Sequence, residues 1–341
     1  MMEFGNLGKS GLKVSRVILG AMSFGKKDKW GDWVLEDEEE VFKLLKHAYD
    51  KGIRTWDTAN VYSHGESERL IGKFIKKYNI PRSSIVILTK VHFYTEDDDR
   101  LANDQFKTVN RRGLSRKHIM DSVDASVERL GTYIDVYQIH RLDPETPKEE
   151  IMEALNDVVR SGKVRYIGAS SMRGVEFAQL QFIAEKNGWA KFISMQNYYN
   201  LTYREEEREM IPFCNETGVG LIPWSPIAMG KLARPVGSTT VRTKTDHALQ
   251  KNNSIGFNIA NSASAEEIIR RVEQVANKRN VSMAIVAISW VLSKGANPIV
   301  GFSKTDRVDE AVAAVSFKLT PEETSFLEES YAPEPVMGLN T

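Results

Sequence analysis

IDVYQIHRLDPETPKEEIMEALNDVVRSGKVRYI, residues 134–167, is the stretch on which the reading of the fold turns. It opens on the β-branched run Ile134-Asp135-Val136-Tyr137 and closes on a second, Val164-Arg165-Tyr166-Ile167. Between them Ile151, Leu155, Val158 and Val159 share one face of a helix. The pattern repeats in both directions along the chain. Further short runs are Val17-Ile18-Leu19, Ile53-Arg54-Thr55-Trp56, Ile85-Val86-Ile87-Leu88, Phe192-Ile193-Ser194-Met195, Val219-Gly220-Leu221-Ile222 and Pro298-Ile299-Val300. Helical faces recur at Val41, Leu44, Leu45 and Ala48, and at Ile119, Val123, Val127 and Leu130. Eight strands separated by helices predict a closed α/β fold, the (β/α)8 TIM barrel.

Three departures from a minimal barrel are visible. Phe4 to Lys13, with Gly5, Gly8 and Gly11, reads as an N-terminal β-hairpin that caps the barrel bottom. Val91 to Ser115 and Ser225 to about Ser264 are too long for simple connections. Both follow the C-terminal end of a strand, the face on which such barrels carry their chemistry. The second is followed by two helical patterns instead of one. No repeat or linker divides the chain, so residues 1–341 are expected to form a single domain. Glu36 to Glu40 reads as a helix start, where acidic side chains suit the dipole. Asp97-Asp98-Asp99 reads as a solvated loop.

Composition narrows the function classes. Lys plus Arg and Asp plus Glu both number 46, so the formal net charge is zero, and no global attraction to nucleic acid or an anionic membrane is expected. Cys214 is the one cysteine, which rules out an internal disulfide and argues against a cysteine-built zinc site. No metal is expected. Met1 to Asn6 lacks an apolar signal core, and no apolar run approaches the ~20 residues of a membrane span. A cytoplasmic enzyme with a small-molecule substrate and no obligate protein partner is the expectation.

The strand ends carry polar residues at regular places. Asp57 ends the second strand, Lys90 the third and His140 the fourth. Ser170 and Ser171 follow the fifth, Gln196 the sixth, Trp224 the seventh, and Ser303 with Lys304 the eighth. A barrel gathers these positions on one rim, and ionisable groups there are costly to bury unless paired. Tyr62 lies five residues beyond Asp57 on the adjoining loop.

Trp56-Asp57-Thr58-Ala59-Asn60-Val61-Tyr62, Gly65-Glu66-Ser67-Glu68, Leu88-Thr89-Lys90-Val91 and Tyr137-Gln138-Ile139-His140 together resemble the catalytic tetrad segments of the aldo-keto reductase superfamily. The resemblance runs from Gly20-Ala21-Met22 to Phe317-Lys318-Leu319-Thr320 and is nearest to the aryl-alcohol-dehydrogenase-like branch found in fungi. It implies Asp57, Tyr62, Lys90 and His140 as the tetrad. Elementary chemistry agrees. Carbonyl reduction needs a hydride from a cofactor and a proton from an acid at the carbonyl oxygen. A tyrosine with a pKa near ~10 needs a neighbouring cation to ease its donation. Lys90 is expected to be that cation and to lower the phenol, with Asp57 as its counter-charge and His140 as a hydrogen-bond donor to the substrate oxygen. The sequence leaves the protonation state of His140 open. Of the other histidines, His47, His64, His118 and His247 lack comparable support; His92 stands out only because it lies two residues beyond Lys90.

Gly20-Ala21-Met22-Ser23-Phe24-Gly25 lacks the GxGxxG spacing of a Rossmann turn. The resemblance instead implies a nicotinamide cofactor across the barrel mouth, NADP(H). Ser170, Ser171 and Gln196 would hold its carboxamide, Trp224 would stack on its ring, and Ser225 to Leu232, with Lys231, would wrap the pyrophosphate. Gly301-Phe302-Ser303-Lys304-Thr305-Asp306-Arg307 resembles the 2′-phosphate segment, with Ser303, Lys304 and Arg307 as contacts at a helix start. Lys304 stands where many relatives have arginine, and Ala311 where many have asparagine facing the adenine. Trp30, Trp33, Phe93, Tyr94 and Phe257 are expected to line an apolar pocket for aromatic or medium-chain aldehydes. The rival reading is a regulatory NADP(H)-binding subunit of the same fold with little turnover.

Overall fold

The structure, a computed structural model, describes residues 1–96, 98–101, 104–238 and 262–339. Two antiparallel strands, β1 (Phe4–Asn6) and β2 (Lys13–Ser15), precede an eight-stranded sheet. Its strands are β3 (Ile18–Gly20), β4 (Thr55–Asp57), β5 (Val86–Val91), β6 (Ile134–Ile139), β7 (Val164–Ser170), β8 (Phe192–Gln196), β9 (Gly220–Leu221) and β10 (Ile299–Gly301). Each pairs in parallel with the next, and β10 pairs in parallel with β3. The last gap is closed beyond β9. Trp224 bridges to Ile299, and the Ile299 and Asn297 amides donate to the Pro223 and Leu221 carbonyls at 2.9 Å. The sheet is a (β/α)8 barrel, as the alternation of patterns predicts. Helices such as Glu38–Asp50, Glu66–Lys77, Arg116–Leu130 and Lys148–Arg160 form the outer layer.

The acidic run starts a helix as expected: the Asp37 side chain accepts the Glu40 amide at 2.9 Å and caps Glu38–Asp50. The long seventh connection holds a 3-10 turn at Ala228–Ala233 and leads into two helices, Ala263–Arg279 and Met283–Ser293, each capped by a serine, Ser262 and Ser282. In the acidic loop, Asp98 pairs with Arg100 at 2.7 Å, and Asp97 lies outside the described residues. No described helix is long and apolar enough to cross a membrane.

The barrel interior changes character from bottom to top. The hairpin presses Leu7 and Val14 into its lower end, where they pack with Ile18, Leu88, Val136, Ile222 and Ile299. Gly8 permits this close seat: at φ +60, a Cβ there would lie 2.3 Å from the Gly218 carbonyl oxygen. Above this apolar plug the inward positions turn polar, from Leu88 to Lys90 on β5 and from Val136 through Gln138 to His140 on β6. Outward positions such as Trp56, Ile87, Tyr137 and Ile167 face the helices in the main core.

Candidate active site

Asp57 is the last residue of β4, and its carboxylate is almost wholly buried. The Lys90 ammonium, fully buried, lies 2.5 Å from Asp57 Oδ2, donates to the Thr58 carbonyl at 2.8 Å and sits 3.2 Å from the Tyr62 hydroxyl. The other Asp57 oxygen, Oδ1, accepts from Gln138 Nε2 and Gln196 Nε2, both at 3.0 Å. All of the carboxylate's capacity thus turns inward, and the charge pair is satisfied on every side.

Tyr62 reaches this pair because its loop is held in an unusual shape. Ser63 and His64 adopt left-handed backbone angles, φ 46 and 51, a strain of order 1–3 kcal/mol per residue that surrounding contacts must offset. Those contacts are present. Ser63 Oγ accepts the Lys26 amide at 3.1 Å, and Ser67 Oγ donates to the Ala21 carbonyl and meets Thr58 Oγ1, both at 2.8 Å. Glu68, fully buried, accepts from Thr89 Oγ1 at 2.5 Å and pairs with Arg129 Nε at 2.6 Å. The Gly65-Glu66-Ser67-Glu68 segment therefore anchors the tyrosine loop against the strand that carries Lys90.

The electrostatics qualify one expectation. Burial pushes the Tyr62 phenol above its ordinary value; Lys90 pulls the other way without reversing the shift, and Asp57 adds to it. The Lys90 ammonium is penalised by burial, but Asp57 and Tyr62 more than offset this and hold it above the usual lysine range. His140 is driven well below its ordinary value by burial, then by the charges of Lys90 and Arg141. It is a neutral imidazole, and its Nδ1 is buried with no hydrogen-bond partner. Its ring stands at 81° to Tyr62, with centroids 5.9 Å apart.

Gln138 was not singled out from sequence. The available signal was its inward position two residues before His140, but its bond to Asp57 also needs the register that sets Lys90 opposite Gln138. Gln196 occupies a different place from a simple carboxamide clamp. Its Nε2 serves Asp57 and, at 2.9 Å, Gln138 Oε1. Its Oε1 is the atom left to accept from a ligand amide.

Around the mouth, Ser170 Oγ donates to the Gln196 carbonyl at 2.7 Å. Ser171, at φ 47, accepts from Trp224 Nε1 at 3.2 Å. Trp224 stacks on Tyr198 with centroids 4.5 Å apart, and Tyr198 on Tyr203 at 4.8 Å. Ser225 is half-buried at φ 54, and its carbonyl accepts from Asn200 at 3.1 Å. Lys231 is half-buried in the 3-10 turn, its amine lowered by burial against the opposing pull of Glu266. Ser303 and Lys304 are exposed, with Lys304 in the capping position of the helix Thr305–Ser316. Arg307 is half-buried and engaged by Glu310 at 2.7 Å. Ala311 is fully buried in the core.

The aromatic candidates separate. Trp30 packs on Tyr62 at 6.2 Å and Phe93 on His140 at 5.1 Å, so both border the tetrad. Tyr94 instead lies under the cations of its own loop, Lys107 at 5.5 Å and Arg111 at 5.3 Å. Trp33 is half-buried, and Phe257 lies outside the described residues. His92 packs on Phe93 at 4.7 Å, and burial lowers it to about 4. A separate cavity of about 340 Å³, lined by Asn60, Thr95, Arg111, His118 and Arg129 among others, contains none of the four tetrad side chains.

The sequence profile of the aldo/keto reductase family matches residues 16–332. Versiconal hemiacetal acetate reductase of Aspergillus parasiticus is 59% identical over 98% of this chain and 98% of its own length. A protein provisionally named as an aryl-alcohol dehydrogenase from Schizosaccharomyces pombe is 58% identical over 98% and 97%. Another of that provisional name, from Saccharomyces cerevisiae, is 53% identical over 96% of both chains.

Proposed function

From the premise that this chain belongs to the aldo/keto reductase family, we propose that it reduces aldehydes and ketones to alcohols with NADP(H), using Tyr62 as general acid. The observation that carries this reading is the Lys90 ammonium placed between Asp57, at 2.5 Å, and the Tyr62 hydroxyl, at 3.2 Å. The whole chain, residues 1–341, acts as one catalytic unit.

The residues present fit a nicotinamide nucleotide. Ser170, Ser171 and Gln196 Oε1 offer partners for a carboxamide, and Trp224 offers an indole braced by Tyr198. Ser225 and Lys231 lie on the segment suited to the pyrophosphate, and Ser303, Lys304 and Arg307 open a 12-residue helix suited to a phosphate. Bound there, the cofactor supplies the hydride. The side chains manage the proton. Tyr62 gives its hydroxyl proton to the carbonyl oxygen, and Lys90 stabilises the phenolate left behind. Asp57, fixed by Gln138 and Gln196, keeps Lys90 charged and in place. Neutral His140 donates to the same oxygen and orients it.

Trp30 and Phe93 beside Tyr62 and His140 form the apolar wall for the substrate, with Trp33 and Tyr94 on the surrounding loops. The name shared by two of the relatives, aryl-alcohol dehydrogenase, favours aromatic aldehydes, with medium-chain aldehydes next. The test follows NADPH absorbance with a panel of aromatic and aliphatic aldehydes and ketones, for the wild type and Tyr62→Phe. Turnover that falls by roughly 10²–10⁴-fold in the folded variant is expected. Near-wild-type turnover in Tyr62→Phe would remove the acid from its role. NADPH binding without turnover across the panel would favour the regulatory subunit.

A further inference from the structure

Arg141 follows His140 directly and is 4% exposed. Its Nη1 donates to the His140 carbonyl at 2.6 Å, while its Nε is buried without a partner. No carboxylate among the described residues pairs with it. Two carboxylates carried near the strand ends have other partners. Asp143 accepts from the Leu114 amide at 2.8 Å, the Glu145 amide at 3.0 Å and Thr146 Oγ1 at 2.6 Å. Asp57 is held by Lys90, Gln138 and Gln196. A guanidinium buried without a counter-ion is costly, and an apolar side chain of similar length would be cheaper in the same space. Burial draws Arg141 down only to about 10, so it remains charged at neutral pH.

We infer that Arg141 is a positioning residue of the reaction, whose uncompensated charge favours the Tyr62 phenolate and keeps His140 neutral. This rests on Tyr62 being the acid. Tyr62 faces Lys90 from β5, Asp57 from β4, and His140 and Arg141 from the end of β6. Lys90 and Asp57 touch, so at Tyr62 they act largely as a dipole. Among the described residues, no anion pairs with Arg141. His140 faces Lys90, Arg141, His92 and the Tyr62 ring, and no carboxylate is among these. In reduction, Tyr62 releases its proton to the carbonyl oxygen and becomes a phenolate. In oxidation, the phenolate takes the proton of the alcohol hydroxyl. A net positive field lowers the cost of the phenolate in both directions.

The experiment measures kcat/KM for aryl-alcohol oxidation with NADP⁺ as a function of pH in the wild type, R141M, R141K and Y62F. Oxidation needs the phenolate, so the rate rises through the Tyr62 limb. In R141M that limb moves to higher pH, with a several-fold lower rate below it, while KM for NADP⁺ stays unchanged. In R141K, which keeps the charge, the limb returns towards the wild-type position. A limb unmoved in folded R141M, or equally displaced in R141K and R141M, overturns the inference. If R141M does not fold, R141Q takes its place in the same comparison. The two readings fail differently: a limb that survives in Y62F removes Tyr62 from its role, whereas a limb lost in Y62F but unmoved in R141M removes only Arg141.

Discussion

Lys90 and Asp57 meet at 2.5 Å with side chains 0% and 3% exposed, so neither charge has water to fall back on. Removing one member leaves the other buried and alone, a loss of ~3–5 kcal/mol. Lys90→Met should therefore lower stability as well as activity. Adding Asp57→Asn should recover part of the stability while activity stays low. Urea unfolding of the two single variants and the double variant closes the cycle. Strict additivity would mean that the pair is not coupled.

Gln138 joins Asp57 to Gln196, since its Nε2 donates to Asp57 and its Oε1 accepts from Gln196. Gln138→Leu keeps the approximate volume but leaves Asp57 Oδ1 and the Gln196 amide each one bond short. A buried unsatisfied polar group costs ~1–3 kcal/mol. The expected result is a drop in stability of that order, with a fall in kcat larger than the change in KM, because the displaced groups position Lys90 and the mouth. Unchanged kcat in a folded variant would show that the network is structural only.

Three histidines set an acid limit to stability. Burial lowers His92 and His118 to about 4 and drives His140 well below its ordinary value. The unfolded chain binds protons at these sites from about pH 6.5 downward, before the native state does. Stability is therefore full above pH 6.5 and lost as pH falls towards 4, by up to roughly 3 kcal/mol for each of His92 and His118, with His140 acting in the same direction. Urea midpoints measured from pH 7.5 to 4.5 should fall steadily, and His118→Gln should flatten the slope. A flat profile in the wild type would contradict the burial of these rings.

The meeting of Asp57, Lys90 and His140 on one rim is legible because a barrel brings the C-terminal ends of its strands together, whereas their reading with Tyr62 as a tetrad comes from the family resemblance. The sequence pattern ends this strand at Ile167, because Gly168 and Ala169 lack the branched side chains that mark a strand, whereas β7 runs on to Ser170. Inside the barrel that glycine is required: a Cβ there would lie 2.4 Å from Ser194 Oγ and 3.0 Å from Gln138 Cγ. The missing side chain that hid the strand is what makes room for the Gln138 network. Tyr94 shares its rim loop with Phe93, yet adjacent residues point apart, and the Tyr94 ring lies against Lys107 and Arg111. The partners of Asp143, the Leu114 amide and the Thr146 hydroxyl, are contacts that no local pattern announces.

On the proposed reading, cofactor choice should turn on how the helix start Ser303 to Arg307 presents its charges. NADPH differs from NADH by the 2′-phosphate, so preference must come from groups that meet that dianion. Lys304 is exposed at the capping position of the helix Thr305–Ser316, where backbone N–H groups also point outward. Arg307 is engaged by Glu310 at 2.7 Å, and Asp306 places a like charge in the same turn. Lys304 should therefore carry most of the discrimination. Lys304→Ala is expected to weaken NADPH binding by about tenfold, close to 1.4 kcal/mol, and to leave NADH nearly unchanged. Arg307→Ala should cost less, because its charge is already shared with Glu310. Glu310→Gln should tighten NADPH by releasing the guanidinium towards the phosphate. Raising ionic strength should narrow the gap between the two cofactors, since an exposed contact is screened within about 10 Å at 0.1 M salt. Fluorescence titration of both cofactors against the wild type and the three variants decides the matter. Equal losses of NADPH and NADH in Lys304→Ala would show that this lysine does not read the 2′-phosphate.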